Sequence, residues 1–269
     1  MLSVDRPHNI LGVLVHPATY ASATDAILAA AAEPCPFAVA AQPVHGIMSG
    51  VLDPEHRYRL NHLDLVVPDG QPVRWALNLL YRAGLRDRVY GPTLMLRVCE
   101  RAAAARLPIY VYGSRAETVA ALAERLRARF PELLIAGSRP GLFRQVAAAE
   151  AEAIAAGIRA SGARIVFVAL GCPRQEVWAY ENRERLGVPI VAVGAAFDFH
   201  AGTVRQAPPR WQALGLEWLF RLLREPRRLW RRYIFLNPLY LALVAAQWLG
   251  LRRFSPEDAR SPAQDLNYA

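Results

Sequence analysis

The sequence predicts an α/β fold with Rossmann-like parallel sheets, arranged as two lobes around a cleft and followed by an all-helical C-terminal appendage. Three observations carry this. Short β-rich runs alternate with helical patterns, as parallel strands joined by helical crossovers require. Two apolar runs end in glycine, at Gly171 and Gly194, where open α/β sheets build their crevices. After Pro208-Pro209 the pattern becomes helical only and the charge becomes basic. From Arg205 to Arg253 there are ten Arg against Glu217 and Glu225, a net +8 compared with +9 for the whole chain.

In chain order, strands are expected near Leu11–Val15, Phe37–Ala41, Leu65–Val67, Ile109–Tyr112, Leu133–Ala136, Ile165–Ala169 and Ile190–Val193. Helices are expected near Ala23–Ala32, Pro54–Leu63, Pro72–Tyr81, Thr93–Arg106, Glu117–Phe130, Val146–Ser161 and Arg174–Arg185. Two helix starts are readable. Asp53 is an N-cap with Pro54 at the first helical position, and Ser114 precedes Glu117 by three residues as a capping box. A seam is expected at Arg106–Pro108, separating an N-terminal α/β lobe (1–106) from a second α/β lobe (107–207). Residues 208–254 then form the helical appendage, and the polar end 255–269 is expected to be disordered.

With 54% hydrophobic and 20% charged residues, the chain has enough apolar content for a sizeable core. All 32 basic residues are Arg and none is Lys, a bias that reads first as genome composition. Cys35, Cys99 and Cys172 are odd in number and far apart, which disfavours a disulfide framework and favours a reducing compartment. The six His show no metal-ligand spacing either. The N-terminal stretch lacks the charged region, apolar stretch and cleavage site of a secretory signal. Tyr233–Leu251 is interrupted by Asn237, Pro238 and Gln247. That leaves Leu239–Ala246, well short of the roughly 20 residues of a spanning helix, so a helix packed on a surface fits better.

Several positions are candidates for chemistry. Asp69 in Val66-Val67-Pro68-Asp69-Gly70 stands at the C-terminal end of an apolar strand. There a rigid backbone and partial burial suit a general base, and a cap on the next helix is an equally good reading. Arg88 adjoins the turn Tyr90-Gly91-Pro92 and is either a phosphate clamp or a surface arginine. Gly137, Gly141 and Phe143, in the stretch after the Ala136 strand, offer close backbone approach and one aromatic face. Gly171 followed by Cys172-Pro173 opens a polar helix whose free N–H groups suit an anion. In its first turn Gln175 can hydrogen-bond a sugar or base, and Glu176 complements the helix dipole. Phe197 and Asp198 follow Gly194, with Asp198 suited either to a ribose hydroxyl or to a place at the core edge. No Asp-x-Asp pair occurs, so a metal-held diphosphate has no support. No Gly-x-Gly-x-x-Gly occurs, which counts against a nicotinamide-dependent oxidoreductase. In the appendage, Trp211, Trp218, Trp230 and Trp248 alternate with Arg221, Arg224, Arg227, Arg228, Arg231 and Arg232. Such a basic amphipathic stretch reads as membrane-surface binding, with an oligomer interface as the plainer alternative and nucleic acid as the weaker rival.

Several long motifs in this order resemble the WecG/TagA/CpsF glycosyltransferases, glycosyltransferase family 26. They are HLDLVVPDGQPVRW, RVYGPTLM, GSRPGLF, VALGCPRQEVW, VGAAFDFHAG and APPRW…GLEWLFRLLREPRRLWRRY, and the resemblance spans roughly Leu11 to Tyr240. It implies a GT-E-like, two-lobed fold. It also implies an inverting, metal-independent transfer of a hexose or N-acetylhexosamine from a UDP-sugar to a polyprenyl-diphosphate-linked acceptor, in bacterial exopolysaccharide or cell-surface polysaccharide synthesis. Glucose and N-acetylmannosamine or its uronic acid are the leading donors. No cofactor and no metal are expected, and the enzyme would be cytoplasmic, peripheral on the inner face of the plasma membrane. Its partners would be UDP-sugar, lipid-linked acceptor and the anionic membrane surface, with homo-oligomerisation open. By the same resemblance Asp69 is the base, Arg88 and Gln175 complete the catalytic set, and the 107–207 lobe binds UDP-sugar through Gly137, Gly141, Phe143, Gly171, Gly194, Phe197 and Asp198. Arg221, Arg224, Arg228 and Arg231 come from the appendage. Two positions depart from the family pattern: Pro43-Val44-His45-Gly46 replaces a Thr-x-Asn-like element, making His45 a substitute contact, and Thr93 stands where Asp commonly follows Gly-Pro. The rival class is a non-catalytic membrane-associated module that holds UDP-sugar or the lipid intermediate.

Overall fold

A computed structural model describes residues 5–269, with the description confined to the backbone at Pro209, Ala213, Arg228, Arg231 and Arg232. Its centre is one six-stranded, all-parallel sheet in the order β4-β3-β8-β7-β5-β6. The strands are β3 (Phe37–Gln42), β4 (Leu65–Pro68), β5 (Ile109–Gly113), β6 (Ile135–Arg139), β7 (Ile165–Ala169) and β8 (Pro189–Ala192). The first two strands, β1 (His8–Ile10) and β2 (Val13–Val15), form a separate antiparallel hairpin. The strand expected near Leu11–Val15 is thus half of a hairpin outside the parallel sheet, since Leu11 (φ 55°) and Gly12 (φ 88°) turn the chain back.

The central strands are buried along their length and read as continuous apolar runs because helices cover both faces. Side chains alternate between two cores. Ala38, Ala40, Tyr112, Val166, Val168 and Ile190 point to one; Val39, Val111, Phe167 and Val191 point to the other. Each fully buried Val, Ile or Phe contributes about 1.5–3 kcal/mol relative to its exposed state. The second core is covered by α1 (Tyr20–Ala32), α5 (Gly91–Ala104), α6 (Ala116–Arg129) and α9 (Ala196–Ala201). On the other face lie α2 (Val44–Leu52), α3 (Pro54–Asn61), α4 (Gln71–Tyr81), α7 (Ala148–Ala160) and α8 (Arg174–Leu186), where Trp178 packs on Tyr112 with ring centroids 4.7 Å apart.

Strands from both sides of Arg106 share this sheet, and β8 lies between β3 and β7. The expected seam therefore crosses a continuous sheet instead of separating two. After β8 and α9 the chain forms α10 (Pro209–Ala213), α11 (Glu217–Arg224), α12 (Pro226–Arg231), a π-helical turn at Arg232–Leu236 and α13 (Asn237–Trp248), the all-helical region expected from its composition. The polar end is ordered, contrary to expectation. Glu181 accepts hydrogen bonds from the N–H groups of Leu266 (2.7 Å) and Asn267 (2.9 Å), Arg185 pairs with Asp265, and Gln145 bridges to Tyr268. Asp53 caps α3 by accepting from Glu55 and His56 N–H, as expected. Ser114 does not cap α6. It stands at φ 54° one residue before the N-cap, Arg115, so the capping box is absent.

Candidate functional site

All six parallel strands end at one edge of the sheet, so every loop leaving a strand faces the same crevice. The chain leaves β7 through α8 toward β8 and leaves β5 through α6 toward β6, in opposite directions along the sheet. The gap between β5 and β7 is therefore a topological switch point, where open α/β sheets bind ligands. Gly113 (φ 106°) closes it from one side. A Cβ there would lie 2.5 Å from the Ala169 carbonyl oxygen, so glycine is required both by its conformation and by space.

At the opposite end of this edge a cleft is lined by Pro43, His45, Asp69, Gln71, Arg88, Glu217, Trp218, Arg221, Tyr233 and Asn237. Asp69 follows β4 directly. The N-cap of α4 is Gly70, without a side-chain cap bond, which removes the capping role for Asp69. Instead Asp69 Oδ1 accepts the Gly91 N–H at 2.6 Å, so the N-terminus of α5 fixes the carboxylate. Burial pushes its pKa up to about 6, with Arg88 and the Gly91 N–H pulling downward. Although surrounded by protein, Asp69 retains part of its surface toward the cleft. A carboxylate fixed in this way, with its pKa raised by burial, has the chemistry of a proton acceptor.

Arg88 is buried at 8% exposure, not a surface arginine. Its Nη2 donates to Glu217 Oε2 at 2.6 Å, and Tyr90 Oη donates to Glu217 Oε1 at 2.7 Å. Glu217 is the first residue of α11. The appendage thus closes over Asp69 through a buried carboxylate that occupies the Arg88 guanidinium. Arg221, one turn on, also lines the cleft, with its Nε buried and without a hydrogen-bond partner among the described residues. Two carboxylates, Asp69 and Glu217, and two guanidiniums, Arg88 and Arg221, leave the cleft formally neutral, and full positive charge would be exposed only on displacing Glu217.

The remaining expected residues divide. His45 lines the cleft from the first turn of α2, a helix that sequence reading left out. Gln175 does not line this cleft. It is buried at the start of α8 beside Gly194, and its Nε2 donates to Glu176 Oε1 at 3.0 Å. Gln42 Nε2 donates to the same oxygen at 3.1 Å. Glu176, expected as a partner of the helix dipole, is fully buried in the first turn of α8, and burial raises its pKa. Gly171, Gly141 and Asp198 gather at the switch point: Gly141 N–H donates to Ser114 O, and Ser114 Oγ donates to Asp198 Oδ1 at 3.4 Å. Gly171 (φ 79°) and Gly194 (φ 57°) both have backbones that favour glycine. Gly137 lies within β6, where a Cβ would strike the Tyr110 ring at 2.6 Å, so packing explains it. Phe143 stands at 41% exposure in the loop after β6, available as an aromatic face.

Phe197 corrects an expectation. It has 0% exposure in the second core and packs among α5, α6 and α9, so it presents no face to a ligand. Arg224 lies outside the cleft, exposed and over the Phe220 ring. The side chains of Arg228 and Arg231 lie outside the described residues. Gln71, Glu217, Trp218 and Asn237 line the cleft and were missed as site residues by sequence reading, as was Tyr90, which holds Glu217 from behind. Glu217 pairs across 129 positions, a separation that no local pattern reports.

The appendage leaves apolar side chains in the open, among them Leu223, Trp230, Phe235, Trp248 and Leu251, beside Arg224, Arg227, Arg252 and Arg253. Among the described residues no helix is long and apolar enough to cross a membrane. A model of the Glycosyl transferase WecG/TagA/CpsF family matches residues 8–254.

Proposed function

This chain belongs to the WecG/TagA/CpsF glycosyltransferases, a family of cell-surface polysaccharide synthesis, and we propose that it is an inverting enzyme that uses Asp69 as general base. The Asp69 carboxylate removes a proton from the acceptor hydroxyl as that oxygen attacks the anomeric carbon of a UDP-sugar. The new glycosidic bond forms on one face while the bond to the diphosphate oxygen breaks on the other, which inverts the anomeric centre. The electron pair of that bond leaves with UDP, and the proton remains on Asp69. Arg221, and Arg88 once the substrate displaces Glu217, meet the developing diphosphate charge, an electrostatic role that a dry, preorganised cleft makes effective.

Donor and acceptor take different parts of the crevice. The nucleotide suits the switch-point loops, with Ser114, Gly141, Gly171 and Asp198 near its ribose and phosphates, and Phe143 as a stacking face. The acceptor enters past His45 and the appendage. Exposed Trp and Leu beside Arg on that appendage suit an anionic membrane surface, which would bring a polyprenyl-diphosphate-linked acceptor to the cleft.

The fixed, partly open Asp69 carboxylate between Arg88 and the Gly91 N–H carries this reading. Incubation with a panel of UDP-sugars and a polyprenyl-diphosphate-linked acceptor tests it. UDP release should require the acceptor, and the product should carry the opposite anomeric configuration. Tight UDP-sugar binding with no acceptor-dependent release would instead identify a non-catalytic carrier.

A further inference from the structure

We propose that His56, Cys172 and Glu176 form a zinc site behind the crevice. Their donor atoms, a ring nitrogen, the thiol sulfur and a carboxylate oxygen, lie within 4.8 Å of one another. They come from the first turn of α3, the loop ahead of α8 and the first turn of α8. Sequence spacing gives no hint of the cluster, because 116 positions separate His56 from Cys172.

Nitrogen, sulfur and oxygen donors together suit Zn²⁺, and these three side chains would fill three of its four tetrahedral positions, with water at the fourth. His56 is only 2% exposed, and both ring nitrogens lack a hydrogen-bond partner among the described residues. An orphaned buried polar atom is costly to leave unmatched, and one nitrogen would bind the ion directly. Glu176 is wholly buried, and among the described residues no arginine pairs with it. Its Oε1 is held by the amides of Gln42 and Gln175, the outer support that metal-bound carboxylates receive. Zinc displaces the thiol proton, and thiolate plus carboxylate then cancel the ion's two charges, which suits a buried site.

Tetrahedral bonds of 2.0–2.3 Å place ligand atoms about 3.3–3.7 Å apart, so the three side chains need to close by roughly 1 Å. Cys172 is partly exposed and offers an entry path. The ion would tie α3 to the start of α8 and hold Gln175 through Glu176, a positioning role that does not depend on the transferase reading.

The test uses the full chain, stripped with chelator and reloaded with Zn²⁺ or Co²⁺. Elemental analysis after gel filtration should find about one ion per chain, the single site proposed. Cobalt should give a thiolate-to-metal charge-transfer band that Cys172→Ser loses. Zinc should raise the melting temperature of the parent chain but not that of Cys172→Ser. Failure of the parent chain to retain stoichiometric metal would overturn the site, as would a cobalt spectrum unchanged in a Cys172→Ser protein with native circular dichroism. His56→Asn provides a second variant should Cys172→Ser fold poorly.

Discussion

Asp69→Asn separates the chemical role of this residue from its structural one. Asn keeps the shape and still accepts the Gly91 N–H through Oδ1, so the local backbone has no reason to move. Loss of a general base costs typically 10²–10⁴-fold in rate, or about 2.7–5.5 kcal/mol of barrier. Stability should change in the opposite direction. The folded-state pKa of about 6 lies above the ordinary 3.8, so ionising Asp69 costs the folded state. That cost is absent below about pH 4, grows between about pH 4 and 6, and is complete above, with an upper bound of about 3 kcal/mol at 1.36 kcal/mol per pH unit. Asp69→Asn should therefore melt higher than the parent chain at pH 8 and at the same temperature at pH 4. Parent turnover should rise with pH through about 6 on a single-proton limb, and the variant should lose that limb. Acceptor-dependent UDP release and scanning calorimetry read the two effects. Turnover within tenfold of the parent, or a variant less stable at pH 8, would refute the base assignment.

Other perturbations test the surroundings of the site. Glu217→Ala removes the hydrogen-bonded partner of Arg88 and leaves Asp69 as its counter-charge, so it should destabilise the chain in denaturant unfolding by less than the about 3–5 kcal/mol of an uncompensated buried charge, with a red-shifted Trp emission as α11 lifts from the cleft. Phe197→Ala should cost about 3–5 kcal/mol through a core cavity, while the fraction that remains folded binds UDP with unchanged affinity by calorimetric titration. Arg224→Ala combined with Arg227→Ala should weaken partitioning onto anionic vesicles by about 2 kcal/mol, roughly 30-fold, at low salt and less at high salt, as read by co-sedimentation. Glu181→Ala removes two charge-assisted bonds to the last residues and should make the C-terminal segment the first target of limited proteolysis, with little change in the melting of the sheet.

The strands were legible because a sheet covered on both faces needs uninterrupted apolar runs, and Ile165–Ala169 matches its expected bounds. The placement of Asp69 at the crevice was legible because loops leaving parallel strands open there. What escaped depends on distant partners. The final residues are polar enough to suggest disorder, yet Glu181 and Arg185 on α8 hold them in place. Helix α2 escaped because Gly46 and Gly50 lower its helical propensity, while burial of Ile47 and Met48 restores it. Phe197 lies in a short helix after a glycine, and only the packing of α9 on α5 and α6 shows which way it points.

Strand β8 enters between β3 and β7 only after about 150 further residues have been made. Until then β3 has one open flank, an unsatisfied row of peptide groups that invites mispairing. Pairs this remote in the chain form slowly, and a newly synthesised N-terminal half has no finished sheet to rest on. Residues 1–106, expressed alone, should therefore aggregate instead of folding as an autonomous unit. Supplying residues 107–269 in trans during refolding should rescue them, because the missing neighbour arrives with the second fragment.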